Sequence, residues 1–264
     1  MPKKTKNNNF KILRIALLLK LMVGVWKHFD NQKAVVQNWQ GTQDIVITPI
    51  NFDGMQSTSH GIKQLNSSQF KEIDTFFELQ AENYGLKLGS SMIIRLGESI
   101  DSKPPALPKI GASRMDVILW SLKLRWWAWQ NKTPDSHSSQ INLFVMYSSP
   151  QKNQRLPHST GLQKGLIGLI HASANKNDQK RNNMIITHEL LHIFGASDKY
   201  NLRNGHPIFP EGFADPNKSP RFPQVKAEIM AGSIPITEKK LGRVFRLSQT
   251  VINEQTAREI GWIK

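Results

Sequence analysis

The sequence predicts an α+β fold in one main domain. Three observations point there: strand-like apolar runs alternate with segments of helical period up to about residue 194, turn-forming residues crowd 198–246, and a last helical pattern closes the chain. Residues 42–50 are rich in β-branched side chains, hold Pro49 near their end, and read as a strand. Ser67 or Ser68 offers a helix cap before Phe70, Ile73, Phe76, Phe77 and Leu79, which recur at helical spacing, and Gly85 supplies the stop. Residues 91–96 form a second strand pattern, and Pro104, Pro105 and Pro108 stiffen the loop that follows. Over 114–129, Ile118, Leu119, Leu122, Trp126 and Trp129 share one helical face, which predicts a helix with those residues in the core, although Ser121, Lys123 and Arg125 also alternate as a strand would. Residues 141–147 and 165–172 are further strands on either side of a turn-rich stretch, a helix spans about 182–194, and the final helix covers 248–260.

Composition narrows the chemistry. The chain has 264 residues, 39% of them hydrophobic, which is too apolar for a disordered protein. It contains no cysteine, so disulfides, thiolate metal sites, iron–sulfur clusters and cysteine nucleophiles are excluded, and any metal must sit on histidine and carboxylate. The formal charge is +15, from 35 Lys and Arg against 20 Asp and Glu, and a basic excess of that size invites nucleic acid or anionic membrane as partner. Residues 1–27, however, carry seven cations and no acid around the apolar stretch 12–26. This divides the chain into an N-terminal anchor or targeting segment, 1–30, and a body, 31–264. A spanning anchor, an interfacial helix with Arg14 and Lys20 reaching the headgroups, a cleaved signal and a plain basic tail all remain open for 10–27, the anchor being the leading expectation.

The most informative segment is 184–200. His188 and His192 are four residues apart, so on a helix both imidazoles leave the same face one turn apart and can reach one divalent ion. Glu189 lies beside that point, where a carboxylate can act as general base toward water activated by the metal. Ile185, Ile186, Leu190, Leu191, Ile193 and Phe194 surround the three polar residues, and burying two histidines and a glutamate there without a metal would be costly. Gly195 can end the helix in the left-handed conformation and turn the chain so that Asp198 arrives as a third metal-competent side chain. Glu211, His206 and Glu228 compete with Asp198 for that third position.

His188-Glu189-x-x-His192-x-x-Gly195-x-x-Asp198 resembles the extended zinc signature of the metzincin metallopeptidases, in the snapalysin-type variant where Asp replaces the third His. The stretch 227–232 is similar to their methionine turn, with Met230 beneath the metal. The resemblance implies a metzincin-like zincin domain with a mixed sheet, an active-site helix and a loop-rich C-terminal subdomain ending in a helix. It implies Zn²⁺ on His188, His192 and Asp198, Glu189 as general base and Tyr200 as a donor to the developing oxyanion. Residues 165–172 take the place of the edge strand that holds an extended protein or peptide substrate. With the N-terminal segment as anchor, the expected location is the bacterial inner membrane, with the catalytic domain on the periplasmic or extracytoplasmic side.

A second class of function stays open: a basic protein that binds nucleic acid or a membrane surface and uses zinc structurally or, secondarily, in proteolysis of bound partners. Residues 124–129 interleave basic and aromatic side chains as such a protein would, but aromatics at helical spacing predict packing. Outside 1–27, 28 basic residues face 20 acidic ones, a balance that does not require nucleic acid.

Overall fold

The computed structural model describes residues 34–89, 92–109, 111–133, 140–149, 157 and 159–264, together with 12–16 and 20. Five strands, β1 (Gln43–Asn51), β2 (Met92–Leu96), β3 (Ile141–Ser148), β4 (Thr160–Leu162) and β5 (Ile167–Ser173), make one sheet in the order β2-β1-β3-β5-β4. The first four in that order run parallel and β4 is antiparallel to β5, so the α+β class with a mostly parallel mixed sheet holds.

Parallel strands need both faces covered, and the side chains of β3 divide accordingly. Ile141, Leu143, Val145 and Tyr147 join one core with Ile45, Ile47, Ile170 and Ala172, under α2 (Lys71–Glu82) and α4 (Gln179–Phe194). Phe144 and Met146 join a smaller core with Ile50, Ile167 and Leu169, under α3 (Arg114–Gln130). A short helix, α1 (Gln56–Lys63), follows β1 and has no strong sequence signal. Asn66, rather than Ser67 or Ser68, caps the next segment: it forms a reciprocal capping box with Gln69 over a 3₁₀ turn that leads into α2.

Past α4 the chain is mostly turns, pinned by two small sheets. Ala227–Glu228 (β6) pairs in parallel with Thr250–Val251 (β9), and Ser233–Pro235 (β7) pairs with Leu241–Arg243 (β8). The closing helix α5 covers only Glu254–Glu259, because Asn253 accepts from the Thr256 amide at 3.0 Å and starts it there.

Two further expectations are corrected. Residues 165–172 are not the edge strand: β5 lies between β3 and β4, and among the described residues β4 holds the edge. Three residues centred on Gly161 are too short to show an alternating pattern. The core face of α3 is the opposite one: Leu124 and Ala128 are buried, whereas Ile118, Leu119, Leu122, Trp126 and Trp129 are exposed. The helix is apolar on two sides, so periodicity finds it without deciding which side meets the sheet.

The membrane-spanning anchor, and with it the inner-membrane location, is also overturned. No helix among the described residues is long and apolar enough to cross a membrane. The stretch 12–26 is shorter than the about 20 residues a span requires and is interrupted by Arg14 and Lys20. Of 1–33, only 12–16 and 20 are among the described residues, and the rest of that segment lies outside them.

Candidate metal centre

The histidines are placed by polar contacts made at both ends of α4. Near its start, the Asn182 side chain accepts from the Ser173 amide at 3.0 Å and donates to the Ser173 carbonyl at 2.8 Å, fixing the helix against the end of β5. Asn183 donates to the Gln69 carbonyl at 2.9 Å and so ties the helix to the turn before α2. At the other end Gly195 has φ +114°, and a side chain there would also meet the Gln163 and Gln37 amides at 2.7 and 2.9 Å. Its amide donates to the His192 carbonyl at 3.1 Å and the Ala196 amide to the Leu191 carbonyl at 2.8 Å, the paired bonds of a Schellman turn.

That turn aims the Ala196 carbonyl back at the helix, where it accepts from His192 Nδ1 at 2.8 Å. The Ile229 carbonyl accepts from His188 Nδ1 at 3.0 Å. A carbonyl only accepts, so both Nδ1 atoms carry protons and each neutral ring presents its Nε2 lone pair. Asp198 Oδ1 stands 3.3 Å from His188 Nε2 and 3.2 Å from His192 Nε2, and has no hydrogen-bond partner although it is shielded from solvent. Two lone pairs and a carboxylate oxygen thus converge with no donor between them, an arrangement that a cation completes. The three donor atoms lie within 4.8 Å of one another. Ligands about 2.1 Å from a tetrahedral ion are about 3.4 Å apart, close to the two distances to Asp198, so His188, His192 and Asp198 fit a divalent metal.

Without a cation the proton takes its role. Burial lowers the His188 pKa, but Asp198, the Glu189 charge and the Ile229 carbonyl outweigh it and hold the imidazolium up at about 9. Burial acts on Asp198 in the opposite sense, and the two facing imidazoles hold its carboxyl well below the usual carboxylate range.

Glu189 is buried, and its Oε2 has no hydrogen-bond partner. Burial raises its pKa, partly countered by the two histidines and by the Gly161 amide. A carboxylate with a raised pKa and an unused oxygen beside a metal-competent triad is suited to taking and returning a proton. Gly161 lets β4 approach this closely: a Cβ there would lie 2.3 Å from the Glu189 carbonyl oxygen and 2.9 Å from His192 Cβ. Tyr200 also faces the site. Burial, the charge and hydrogen bonding of Asp198, and the charge of Glu189 push its phenol up to about 12, so it stays a neutral donor.

The loop that delivers Asp198 is clamped from the C-terminal helix. Lys199 is buried and its Nζ lies 2.6 Å from both carboxylate oxygens of Glu259, which also accept from the Ser197 amide and hydroxyl at 2.8 and 2.9 Å. Met230 is buried in the main core, and its carbonyl accepts from the Lys199 amide at 3.0 Å. The turn over 227–232 therefore touches both His188, through Ile229, and the Asp198 loop.

Of the competing third ligands, Glu228 is consumed by other bonds: it is buried and accepts from Thr256 Oγ1 at 2.8 Å and the Ala231 amide at 3.0 Å. Burial raises its carboxyl to about 7 against the opposing effect of the Thr256 hydroxyl, the Met230 backbone and the charges of His188 and Lys199. Glu211 and His206 stand outside the metal-competent group. Sequence reasoning missed Gly161, Lys199, Glu259 and the carbonyls of Ala196 and Ile229. Only Gly161, as a glycine beside a strand pattern, left any local signal.

No protein-family model matches the sequence, and no curated protein is similar to it. A solved structure described as "Structure of a chaperone-substrate complex" is similar over 83% of this chain at 14% identity, with a TM-score of 0.39. The chain spans about a third of that protein's length, 33%, and a likeness of that degree carries no argument about fold or function.

Proposed function

We propose that this chain is a zinc-dependent peptidase of the metzincin type, with His188, His192 and Asp198 as metal ligands and Glu189 as general base. The observation that carries the reading is the convergence of two Nε2 lone pairs and an unpartnered Asp198 oxygen beside a buried, half-unsatisfied Glu189. A divalent cation bound there would acidify water and polarise a peptide carbonyl. Nitrogen and carboxylate donors in a cysteine-free protein suit zinc.

The chain's own residues supply the rest of the chemistry. Glu189, with its pKa raised by burial, takes a proton from the attacking water and returns it to the leaving amine. Tyr200, neutral at ordinary pH, donates to the oxygen on which negative charge develops. Among the described residues β4 is the outer strand of the sheet; it lies against α4 at Gly161 and can pair with an extended segment of substrate, which gives main-chain affinity with little demand on sequence.

The test measures zinc content and cleavage of an unstructured protein together. Glu189→Gln is expected to keep zinc and lose chelator-sensitive cleavage by at least about a hundredfold. Asp198→Ala is expected to lose zinc. Undiminished cleavage by Glu189→Gln would refute the peptidase mechanism, and full zinc retention in Asp198→Ala would refute the ligand set.

A further inference from the structure

We propose that the outer face of α3 is a docking surface for an anionic lipid bilayer, onto which the protein adsorbs sideways without crossing it. The inference is independent of the peptidase reading: α3 covers the sheet face opposite α4. Its inner face, Leu124 and Ala128, is buried against Phe144, Met146 and Ile50. Directly opposite, Met115, Ile118, Leu119, Leu122, Trp126 and Trp129 line an outward stripe, and Leu122, Trp126 and Trp129 are 55%, 61% and 63% exposed. At about 100° per residue these six positions fall within an arc of about 100°. Isolated exposed apolar residues are ordinary, but a continuous four-turn stripe is a surface made to be covered.

The charges around the stripe identify what covers it. On the same wheel Arg114 and Arg125 border one margin and Lys123 the other. Arg125 is held at that margin by its guanidinium donating to the Lys164 carbonyl at 3.0 Å. The one acidic residue of α3, Asp116, is turned to the N-terminus, where it pairs with the Ser113 amide and hydroxyl at 3.1 and 2.7 Å. Beside Leu119 a cleft of about 700 Å³ opens, lined by Pro105, Ala106 and Trp120 and by the charged Lys109, Lys123 and Asp116, two cations against one acid whose carboxylate is already bonded to Ser113. An apolar stripe with basic margins, and a cationic cleft at its side, complements acyl chains below a layer of anionic headgroups.

Trp126 and Trp129, whose rings lie 5.1 Å apart, are side chains that favour the boundary between headgroup and acyl chain. The same charges disfavour the other occupants. A second copy would bring basic margins onto basic margins. Residues 1–27, with seven cations and no acid, would do the same.

Flotation of the full chain with phosphatidylcholine vesicles, with or without phosphatidylglycerol, tests the proposal. Binding is expected only to the anionic mixture, and Ile118→Glu with Leu122→Glu should reduce it at least about tenfold with circular dichroism unchanged. Trp126→Phe with Trp129→Phe should keep binding but lose most of the tryptophan quenching by brominated lipid, which distinguishes this face from insertion through Trp26. The proposal is overturned by absence of binding, by binding that survives the two glutamates, or by quenching that survives the two phenylalanines. It is equally overturned by a dimer that the glutamates dissociate in the absence of any lipid effect. None of these outcomes depends on zinc or on cleavage, so each is separable from failure of the peptidase reading.

Discussion

The Lys199–Glu259 clamp makes an ordered prediction in which the single substitution is worse than the double. Lys199 is 4% exposed, and both carboxylate oxygens of Glu259 lie 2.6 Å from its Nζ, leaving Ser197 Oγ at 2.7 Å as the other partner. Glu259→Gln keeps the shape but leaves a buried ammonium without its counter-charge. Breaking such a pair costs about 3–5 kcal/mol, and an amide oxygen that still accepts one bond places this case near 3.

For a domain of this size that corresponds to a fall of roughly 6–12 °C in Tm. Lys199→Met should cost only about 1–2 kcal/mol, because Glu259 keeps its bonds from Ser197 and reaches solvent. Lys199→Met with Glu259→Gln should be more stable than Glu259→Gln alone, since no unpaired charge stays buried. The assay is urea unfolding followed by tryptophan fluorescence, in chelator so that metal linkage does not enter. A Glu259→Gln variant within about 0.5 kcal/mol of the parent, or a double variant whose loss is the sum of the singles, would refute the reasoning. Because residues 197–199 carry Asp198, zinc affinity of Glu259→Gln should also drop about 10–100-fold, measured by competition with a chromophoric chelator.

Two further outcomes follow from the same geometry. Gly161→Ala places a methyl 2.3 Å from a backbone oxygen of α4, so β4 must move away; stability should fall by about 1–3 kcal/mol and kcat/KM with it, and parent-like values of both would contradict the packing described. In metal-free protein the His188 pKa of about 9 lies above the ordinary 6.5, so its stabilising contribution is complete below pH 6.5 and is lost as pH rises through 9. The urea midpoint in chelator should therefore decline over that window. Zinc affinity should climb over the same window, because the metal displaces that proton. A flat midpoint between pH 6.5 and 9 would show that His188 is not paired as the structure has it.

Much of the candidate site was legible because its signal is local. The spacing of His188, Glu189 and His192 is a property of one helix, and Gly195 announces the left-handed stop that makes room for Asp198. The central strands were legible for a similar reason: 42–50 and 141–147 nearly coincide with β1 and β3, whose apolar runs are what burial on two faces requires. What escaped was short or two-sided. Three residues cannot show alternation, so β4 leaves no pattern in the sequence and the apolar run of β5 reads as the edge. A helix apolar on both sides leaves its orientation to the sheet, where compact Leu124 and Ala128 fit between Phe144 and Met146 and the larger tryptophans of the opposite stripe stay outside.

By itself the sequence determined the donor chemistry and its order along the chain: no thiol, two imidazoles on one helical turn, a carboxylate beside them and another just past a glycine stop. Those are short-range facts, set by backbone geometry within eleven residues of His188 to Asp198. Tertiary structure decided how the donors are held. The Ile229 carbonyl, 41 positions from His188, sets that ring's tautomer, and Glu259, 60 positions from Lys199, holds the Asp198 loop. Gln37 bridges the carbonyls of Phe194 and Glu259 across 157 and 222 positions. Partners so far apart leave no periodicity in the sequence, because they meet only once the whole sheet and both its covering layers have formed.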